Sequence, residues 1–191
     1  MFSSLKIFVF SFLFSLTAIT FSLAEDILRL QIAGDFNGHI EIKLRSDLAP
    51  LHAERIRLLA NQGKYDGVVF HRVIDGFMAQ TGDVKFGNIK NFDPMMVGMG
   101  GSDYPNLPAE FSKIPFEKGV VGMARSRSLD SGNSQFFIML EAASHLNEKY
   151  SVIGKVIKGL DAFAGIKKGD PKLNGKVTNP DYIEKAIILN K

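Results

Sequence analysis

Apolar side chains in this sequence recur mostly at every second position, and this alternation limits the folds that the chain can adopt. Residues 28–32 and 40–44 both alternate apolar with polar or charged side chains, as strands with one buried face do. Gly34, Asn37 and Gly38 lie between the two segments, and residues of this kind favour a turn. The two segments are therefore predicted to pair as a β-hairpin.

Further strand patterns occur along the chain, whereas only two segments have the period of a helix. The first helical segment starts at Pro50, which suits a first helical turn, and stops at Gly63. The second is predicted over residues 159–169. The remaining strand candidates are residues 67–74, 77–82, 119–124, 135–140, 151–157 and 182–189.

This ratio of strands to helices decides the fold class. A doubly wound parallel sheet needs a crossover helix between most pairs of strands, and two helices are too few. Antiparallel strands need only short turns, and a sheet that closes on itself hides its edges. The prediction is a mainly β fold, a closed and mostly antiparallel barrel capped by two α-helices.

The first 24 residues differ in composition from the rest. A single charge, Lys6, precedes a run of Phe, Leu, Ile and Val, and the small residues Ser22 and Ala24 follow. This order is typical of a secretory signal peptide cleaved after Ala24. An uncleaved anchor is the alternative, although the apolar run barely approaches the roughly 20 residues of a membrane span. The predicted division is residues 1–24 as signal peptide and 25–191 as one domain, in the periplasm or secreted.

The sequence lacks the residue patterns that several kinds of chemistry require. The chain has no cysteine, which removes disulfides and thiol nucleophiles, and its net charge of +3 comes without a basic stripe typical of nucleic-acid binding. Gly98–Gly101 lacks the Lys-Ser or Lys-Thr pair of a phosphate-binding loop, and Ser134 lies outside a hydrolase elbow. The histidines have no metal-ligand spacing, so neither a metal nor a cofactor is predicted; they are His39, His52, His71 and His145.

Residues 84–109 form the longest stretch without a strand or helix pattern. They are rich in Gly, Pro, Asn and Asp. A connection of this length inside a compact domain is usually functional or folds as an ordered surface loop. We therefore expect it to border a site.

Four segments together resemble the signature segments of the cyclophilins, which are peptidyl-prolyl cis-trans isomerases. They are FHRVIDGFMAQTGD (70–83), GVVGMARS (119–126), NSQFFIML (133–140) and HLNEKYSVIGKV (145–156). The resemblance extends over roughly residues 27 to 190. An extra residue between the MAR segment and SQFF and a longer loop over residues 84–98 resemble bacterial exported members. The resemblance implies an eight-stranded antiparallel barrel with a helix at each end and an enzyme that needs no cofactor.

The resemblance also implies a role for individual residues. Arg72 would be the catalytic arginine, and Gln80 with the backbone of Arg125 would hold the carbonyl before the proline. The walls of the proline pocket would be Phe77, Met78, Phe137 and Leu146, with His145 and Tyr150 where many members have tryptophan and histidine. An adjoining groove would be lined by Met123, Ala124, Ser126 and Gln135.

The alternatives are structural roles for the same residues. Phe77 and Phe137 fit a core equally well on pattern alone, and alternation sends Phe136 to the opposite face from Phe137. His71 fits a buried structural histidine better than a base. The expected partner is a proline-containing unfolded or flexible polypeptide, bound by a monomer without nucleic acid and without stable membrane association after cleavage. A binding module without turnover and a small-ligand carrier are the competing functions.

Overall fold

The computed structural model describes residues 26–190 and consists mainly of β-structure. The predicted signal peptide, residues 1–24, lies outside the described residues. The helices are α1 (Pro50–Asn61) and α2 (Leu160–Phe163). The strands are β1 (Asp26–Ala33), β2 (Gly38–Leu44), β3 (Arg72–Ile74), β4 (Met78–Thr81), β5 (Val120–Met123), β6 (Phe136–Met139), β7 (Val152–Lys158) and β8 (Tyr182–Asn190).

All eight strands belong to one antiparallel sheet, in the order β3-β4-β6-β5-β7-β2-β1-β8. The sheet is a curled half-barrel, so the prediction of a closed barrel is wrong. Its edge strands β3 and β8 form no ladder with each other, and only isolated contacts join the two edges in the described chain. Phe70 N–H donates to the Asp181 carbonyl at 2.8 Å, and Ile183 N–H donates to the Val68 carbonyl at 2.8 Å.

The edge strands β3 and β8 do not form a ladder because the chain before β3 is irregular. Residues 67–74 were predicted as one strand, yet only Arg72–Ile74 forms one. Gly67 has a φ of +82°, and Val68 and Val69 make only isolated bridges. A positive φ breaks the extended conformation that a continuous ladder needs. The segment therefore follows β8 without pairing along its length.

The main core fills the concave side of the sheet. It contains side chains from most strands, including Leu30, Ile42 and Ile138, all fully buried. Helix α1 covers this core against β8 and β1, with Ile56 and Leu59 on its buried face. The predicted hairpin β1–β2, helix α1 and the last strand β8 are all confirmed. Neither α-helix in the described part of the chain has the length and apolar character of a membrane-spanning helix.

The second predicted helix is much shorter than residues 159–169. It ends at Phe163, whose ring is buried in the main core. Beyond it, Lys167 N–H donates to the Asp181 carboxylate at 2.8 Å. That hydrogen bond draws the backbone toward β8 and satisfies an N–H that a longer helix would have bonded internally.

Neighbouring residues of β6 face opposite sides of the sheet, as alternation predicts. Phe136 lies in the main core, where its ring meets Tyr65 edge-on at 5.6 Å between centroids. Phe137 lies in a second apolar cluster on the convex side, with Met78, Phe116 and Leu146. This second cluster forms the floor of the site described next.

Asp83 anchors the long connection that follows β4. Its carboxylate is fully buried and accepts backbone N–H bonds from Lys85, Phe86, Gly98 and Gly100 at 2.7–3.0 Å. Backbone donors of this kind compensate a buried carboxylate for its lost hydration. The segment 84–100 is thus folded back onto the sheet beside β4.

Candidate active site

A row of paired residues crosses four strands on the convex face. Arg72 of β3 pairs with Gln80 of β4, Gln80 pairs with Phe137 of β6, and Phe137 pairs with Gly122 of β5. Residues directly opposite each other in antiparallel strands project their side chains to the same face. The register alone therefore brings a cation, an amide and an aromatic ring together.

Gly122 makes room for the aromatic member of this row. A Cβ atom at position 122 would lie 2.3 Å from the Phe137 ring and 2.7 Å from the Phe116 ring. The two rings stack with 5.7 Å between centroids. Only glycine lets them approach the strand this closely.

The Arg72 guanidinium is held by hydrogen bonds on both of its sides. Nε donates to the Asn174 carbonyl and Nη2 to the Asn174 side-chain oxygen, both at 3.0 Å. Nη1 donates to Gln80 Oε1 at 3.3 Å and lies 3.8 Å from the Met78 sulfur. Asn174 adopts a left-handed conformation with a φ of +53°, which asparagine tolerates better than most residues. The guanidinium is therefore fixed in orientation at the rim of the site.

A relay of amide groups continues from Gln80 to the long loop. Gln80 Nε2 donates to Gln135 Oε1 at 3.0 Å. Gln135 Nε2 in turn donates to the carbonyls of Gly98 and Gly100 at 3.0 and 2.7 Å. The loop anchored by Asp83 thus helps to hold the side chains beside Arg72.

An apolar slot of about 330 Å³ opens next to the guanidinium. Its deep walls come from Met78, Phe137 and Leu146, which are all buried. The rim carries Phe77, whose ring lies 5.6 Å from that of His145. Ten residues line this slot: Arg72, Phe77, Met78, Gln80, Ala124, Arg125, Phe137, His145, Leu146 and Tyr150.

The slot is continuous with a more polar cavity of about 550 Å³. Gln80, Ala124 and Arg125 line both. Arg125 is held between them, because its guanidinium lies 4.4 Å from the centre of the Tyr150 ring and donates to the Lys149 carbonyl. The polar cavity also contains Ser126 and Gln135, together with the loop glycines from Gly98 to Gly101.

The structure brings together every predicted site residue except one. Met123 is 2% exposed, belongs to the main core and pairs with Phe136 on the concave face. It lines neither the slot nor the polar cavity. Its expected place in the adjoining groove is therefore wrong, since the register turns its side chain inward.

Two residues of the site escaped the sequence reasoning. Asn174 holds Arg72 from a turn 102 positions later in the chain, and Asp83 anchors the loop that contacts Gln135. Neither residue lies in a pattern that predicts such a contact. A left-handed asparagine followed by glycine signals a turn, but the partner of that turn depends on the tertiary fold.

Burial changes the electrostatics of two neighbouring residues. It lowers the pKa of Arg72, and the nearby Tyr150 partly opposes this shift. An arginine nevertheless stays charged at physiological pH. Burial also lowers the pKa of His71 to about 4, despite the opposing effects of the Asp83 carboxylate and the Val69 carbonyl. His71 is thus a neutral, buried histidine, as its structural interpretation predicts. Within residues 26–190, no group of three His, Asp or Glu side chains could hold a metal ion.

The family follows from a comparison with known proteins. A model of the cyclophilin type peptidyl-prolyl cis-trans isomerase/CLD family matches residues 27–188. The chain belongs to the cyclophilin family. The activity of this cyclophilin is peptidyl-prolyl cis-trans isomerisation, because the family consists of such isomerases and similar curated relatives have that name.

Two bacterial proteins are among these relatives. The chain is 59% identical over 153 residues to a probable peptidyl-prolyl cis-trans isomerase of Brucella suis, covering 80% of this chain and 78% of the relative. It is 38% identical over 132 residues to peptidyl-prolyl cis-trans isomerase B of Bacillus subtilis, covering 69% and 85%.

Solved structures share the fold. A cyclophilin from Hirschia baltica has a TM-score of 0.68 at 25% identity, covering 84% of this chain and 73% of that one. A cyclophilin type isomerase from Cryptosporidium parvum, crystallised in the presence of the dipeptide Ala-Pro, has a TM-score of 0.71 at 22% identity, covering 86% and 99%.

The neutral His71 predicts a pH dependence of stability. An unfolded histidine binds a proton below about pH 6.5, whereas the folded His71 binds one only near pH 4. Because the unfolded state binds more protons between these values, stability falls as the pH drops from 6.5 to 4, by up to about 3 kcal/mol. Urea unfolding across this range should show the slope in the wild type and a reduced slope in His71→Gln. The exposed His39 provides a matched control, His39→Gln, which should keep it. An unchanged slope in His71→Gln would contradict the assignment.

Proposed function

We propose that this cyclophilin isomerises X-Pro bonds in unfolded or flexible polypeptides outside the cytoplasm, with Arg72 as its catalytic residue. The observation that carries the proposal is the oriented guanidinium at the rim of an apolar slot. The Ala-Pro dipeptide present with the Cryptosporidium parvum structure is consistent with a proline-containing ligand.

The reaction needs no bond to be broken. Rotation about a peptide bond has a barrier of about 18–20 kcal/mol, because the nitrogen lone pair is delocalised into the carbonyl. An uncatalysed X-Pro bond therefore takes tens to hundreds of seconds to isomerise. At the twisted transition state the lone pair is localised on the nitrogen, which becomes a hydrogen-bond acceptor.

Arg72 is placed to stabilise that transition state selectively. Its N–H groups can donate to the prolyl nitrogen when it is twisted, whereas the planar ground state accepts such a bond poorly. The bonds to Asn174 and Gln80 orient the guanidinium before substrate arrives. Little reorganisation is then needed when the lone pair forms, which is the advantage of a preorganised donor.

The slot and the polar cavity have different roles in binding the substrate. The apolar walls of Met78, Phe137 and Leu146 hold the pyrrolidine ring still. Gln80 and Arg125 line both the slot and the polar cavity, and there Gln80 and the backbone of Arg125 guide the carbonyl of the residue before proline. His145, Phe77 and Tyr150 complete the rim. The ring stays fixed while the carbonyl rotates.

Replacing Arg72 tests this mechanism. In an exchange assay on an Ala-Pro peptide, Arg72→Ala should lower kcat/KM about 10²–10³-fold, the loss typical of one preorganised donor. Arg72→Lys should recover only part of the rate, because an ammonium lacks the planar fork that bonds Asn174 twice. Arg57→Ala, which removes an exposed guanidinium of α1, is the matched control and should keep the wild-type rate.

Equal rates for wild type and Arg72→Ala, with both proteins folded, would remove Arg72 from the mechanism. Peptide binding by the wild type without any acceleration would instead indicate a binding module.

The location outside the cytoplasm rests on the composition of residues 1–24. Expression of the full chain in a bacterial host, followed by fractionation and mass spectrometry, tests it. We expect a periplasmic or secreted product that begins at Glu25. A product with an intact N-terminus in the cytoplasmic fraction would contradict the proposal, and an intact chain in the membrane fraction would indicate a retained anchor.

A further inference from the structure

A third concavity lies beside Arg72 and borders the polar cavity, with which it shares Gln80, Gly98 and Met99. It has a volume of about 350 Å³. Its apolar wall consists of Met95, Val97 and Met99 from the long loop and Leu173 from the turn before Asn174. We call these four residues and the space between them the methionine pocket.

The side chains of this pocket are unusually exposed for their type. Met95 is 79% exposed, Met99 66% and Leu173 60%. Single exposed apolar residues are ordinary on a protein surface, but several around one concavity indicate a binding surface. Methionine is flexible and polarisable, so it adapts to apolar partners of different shapes. Such a surface suits a ligand of variable sequence.

The pocket is continuous with the proline slot. Arg72 and Gln80 line both concavities. Asn174, which orients Arg72 through two hydrogen bonds, also lines the methionine pocket. A chain seated in the slot can therefore reach the methionine pocket by passing the guanidinium, without leaving the surface of the protein.

The direction of the substrate follows from the two neighbours of the slot. The polar cavity shares Ala124 and Arg125 with the slot, on the side where the carbonyl before proline is held under the proposed function. The chain that precedes proline extends over that cavity. The methionine pocket meets the slot at Arg72, which does not line the polar cavity, so the chain that follows proline leaves past Arg72 toward the methionine pocket.

The floor of the pocket contains one buried polar ring. His71 is 5% exposed and lines this concavity. The Val69 carbonyl lies near enough to the ring to raise its pKa, but neither ring nitrogen has the geometry of a hydrogen bond with any described residue. Buried polar groups usually have a partner. A peptide group of a bound chain has both a donor and an acceptor that suit a neutral imidazole.

We propose that the methionine pocket binds an apolar side chain located two or three residues after the proline of the substrate. An extended chain advances about 3.3–3.6 Å per residue, so these positions lie roughly 7–11 Å beyond the proline ring. The proposal rests on the proposed function and adds a preference to it: clients with an apolar residue at this place are better substrates than clients with a polar one.

Paired peptides test the preference. One peptide contains Ala-Pro followed by glycine and then two leucines, the second has two serines in their place, and the third has the leucines before Ala-Pro instead. We expect the wild type to have a kcat/KM about tenfold higher for the first peptide than for the second, a typical gain from one apolar contact. The difference should lie in KM, because the contact is the same in the ground state and the transition state.

Variants assign the preference to the pocket. In the double variant Met95→Gln/Leu173→Gln the ratio between the first two peptides should fall toward one. Leu51→Gln is the matched control, because Leu51 is 49% exposed on α1 and lines none of the three concavities, and it should retain the tenfold ratio.

The outcomes separate this inference from the proposed function. Equal rates for the leucine and serine peptides in the wild type, or a ratio retained in the double variant, would overturn the role of the methionine pocket but not the proposed function. A preference seen only when the leucines precede proline would also overturn it. A wild type that accelerates none of the peptides would overturn the proposed function and this inference with it.

Discussion

The register of four short strands is the constraint on which the site depends. Arg72, Gln80, Phe137 and Gly122 are consecutive partners across β3, β4, β6 and β5. A slip of one residue in any pair would turn the side chains of that strand to the other face. The main core prevents such a slip, because the same strands bury Val73, Ala79, Ile138 and Val121 on the concave side. The packing that stabilises the fold therefore also sets the geometry of the site.

The loop after β4 adds a second level of control. A buried carboxylate, Asp83, gathers four backbone donors and brings Gly98 and Gly100 against Gln135. Gln135 and Gln80 then pass this constraint to Arg72. Charge-assisted hydrogen bonds to a desolvated carboxylate are strong. The network is therefore rigid at Asp83, where it begins, and reaches solvent at Arg72, where it ends. The same loop carries the exposed methionines beside the site.

Alternation in the sequence predicted the hairpin, the approximate positions of the strands and the opposite orientations of Phe136 and Phe137, but it made β3 too long, since only Arg72–Ile74 forms this strand. It could not predict which residues of different strands become partners. The expected place of Met123 in the groove came from the resemblance, whereas the register turns this side chain into the main core. Alternation could not predict that the barrel stays open either, because the irregular backbone around Gly67 depends on contacts with β8. Asn174 and Asp83 act through contacts that only the tertiary fold creates. The roles of Arg72 and the slot residues came instead from the resemblance to cyclophilins, and the structure assembles those residues around one concavity.

A structure of this cyclophilin with a bound Ala-Pro peptide tests the central claim most directly. We expect the proline ring in the apolar slot against Phe137 and a guanidinium nitrogen of Arg72 about 3 Å from the prolyl amide group. Arg72 should keep its bonds to Asn174 in that complex. A ring bound outside the slot, or a guanidinium turned beyond hydrogen-bond distance of the peptide, would contradict the role of Arg72 and the slot in the reaction.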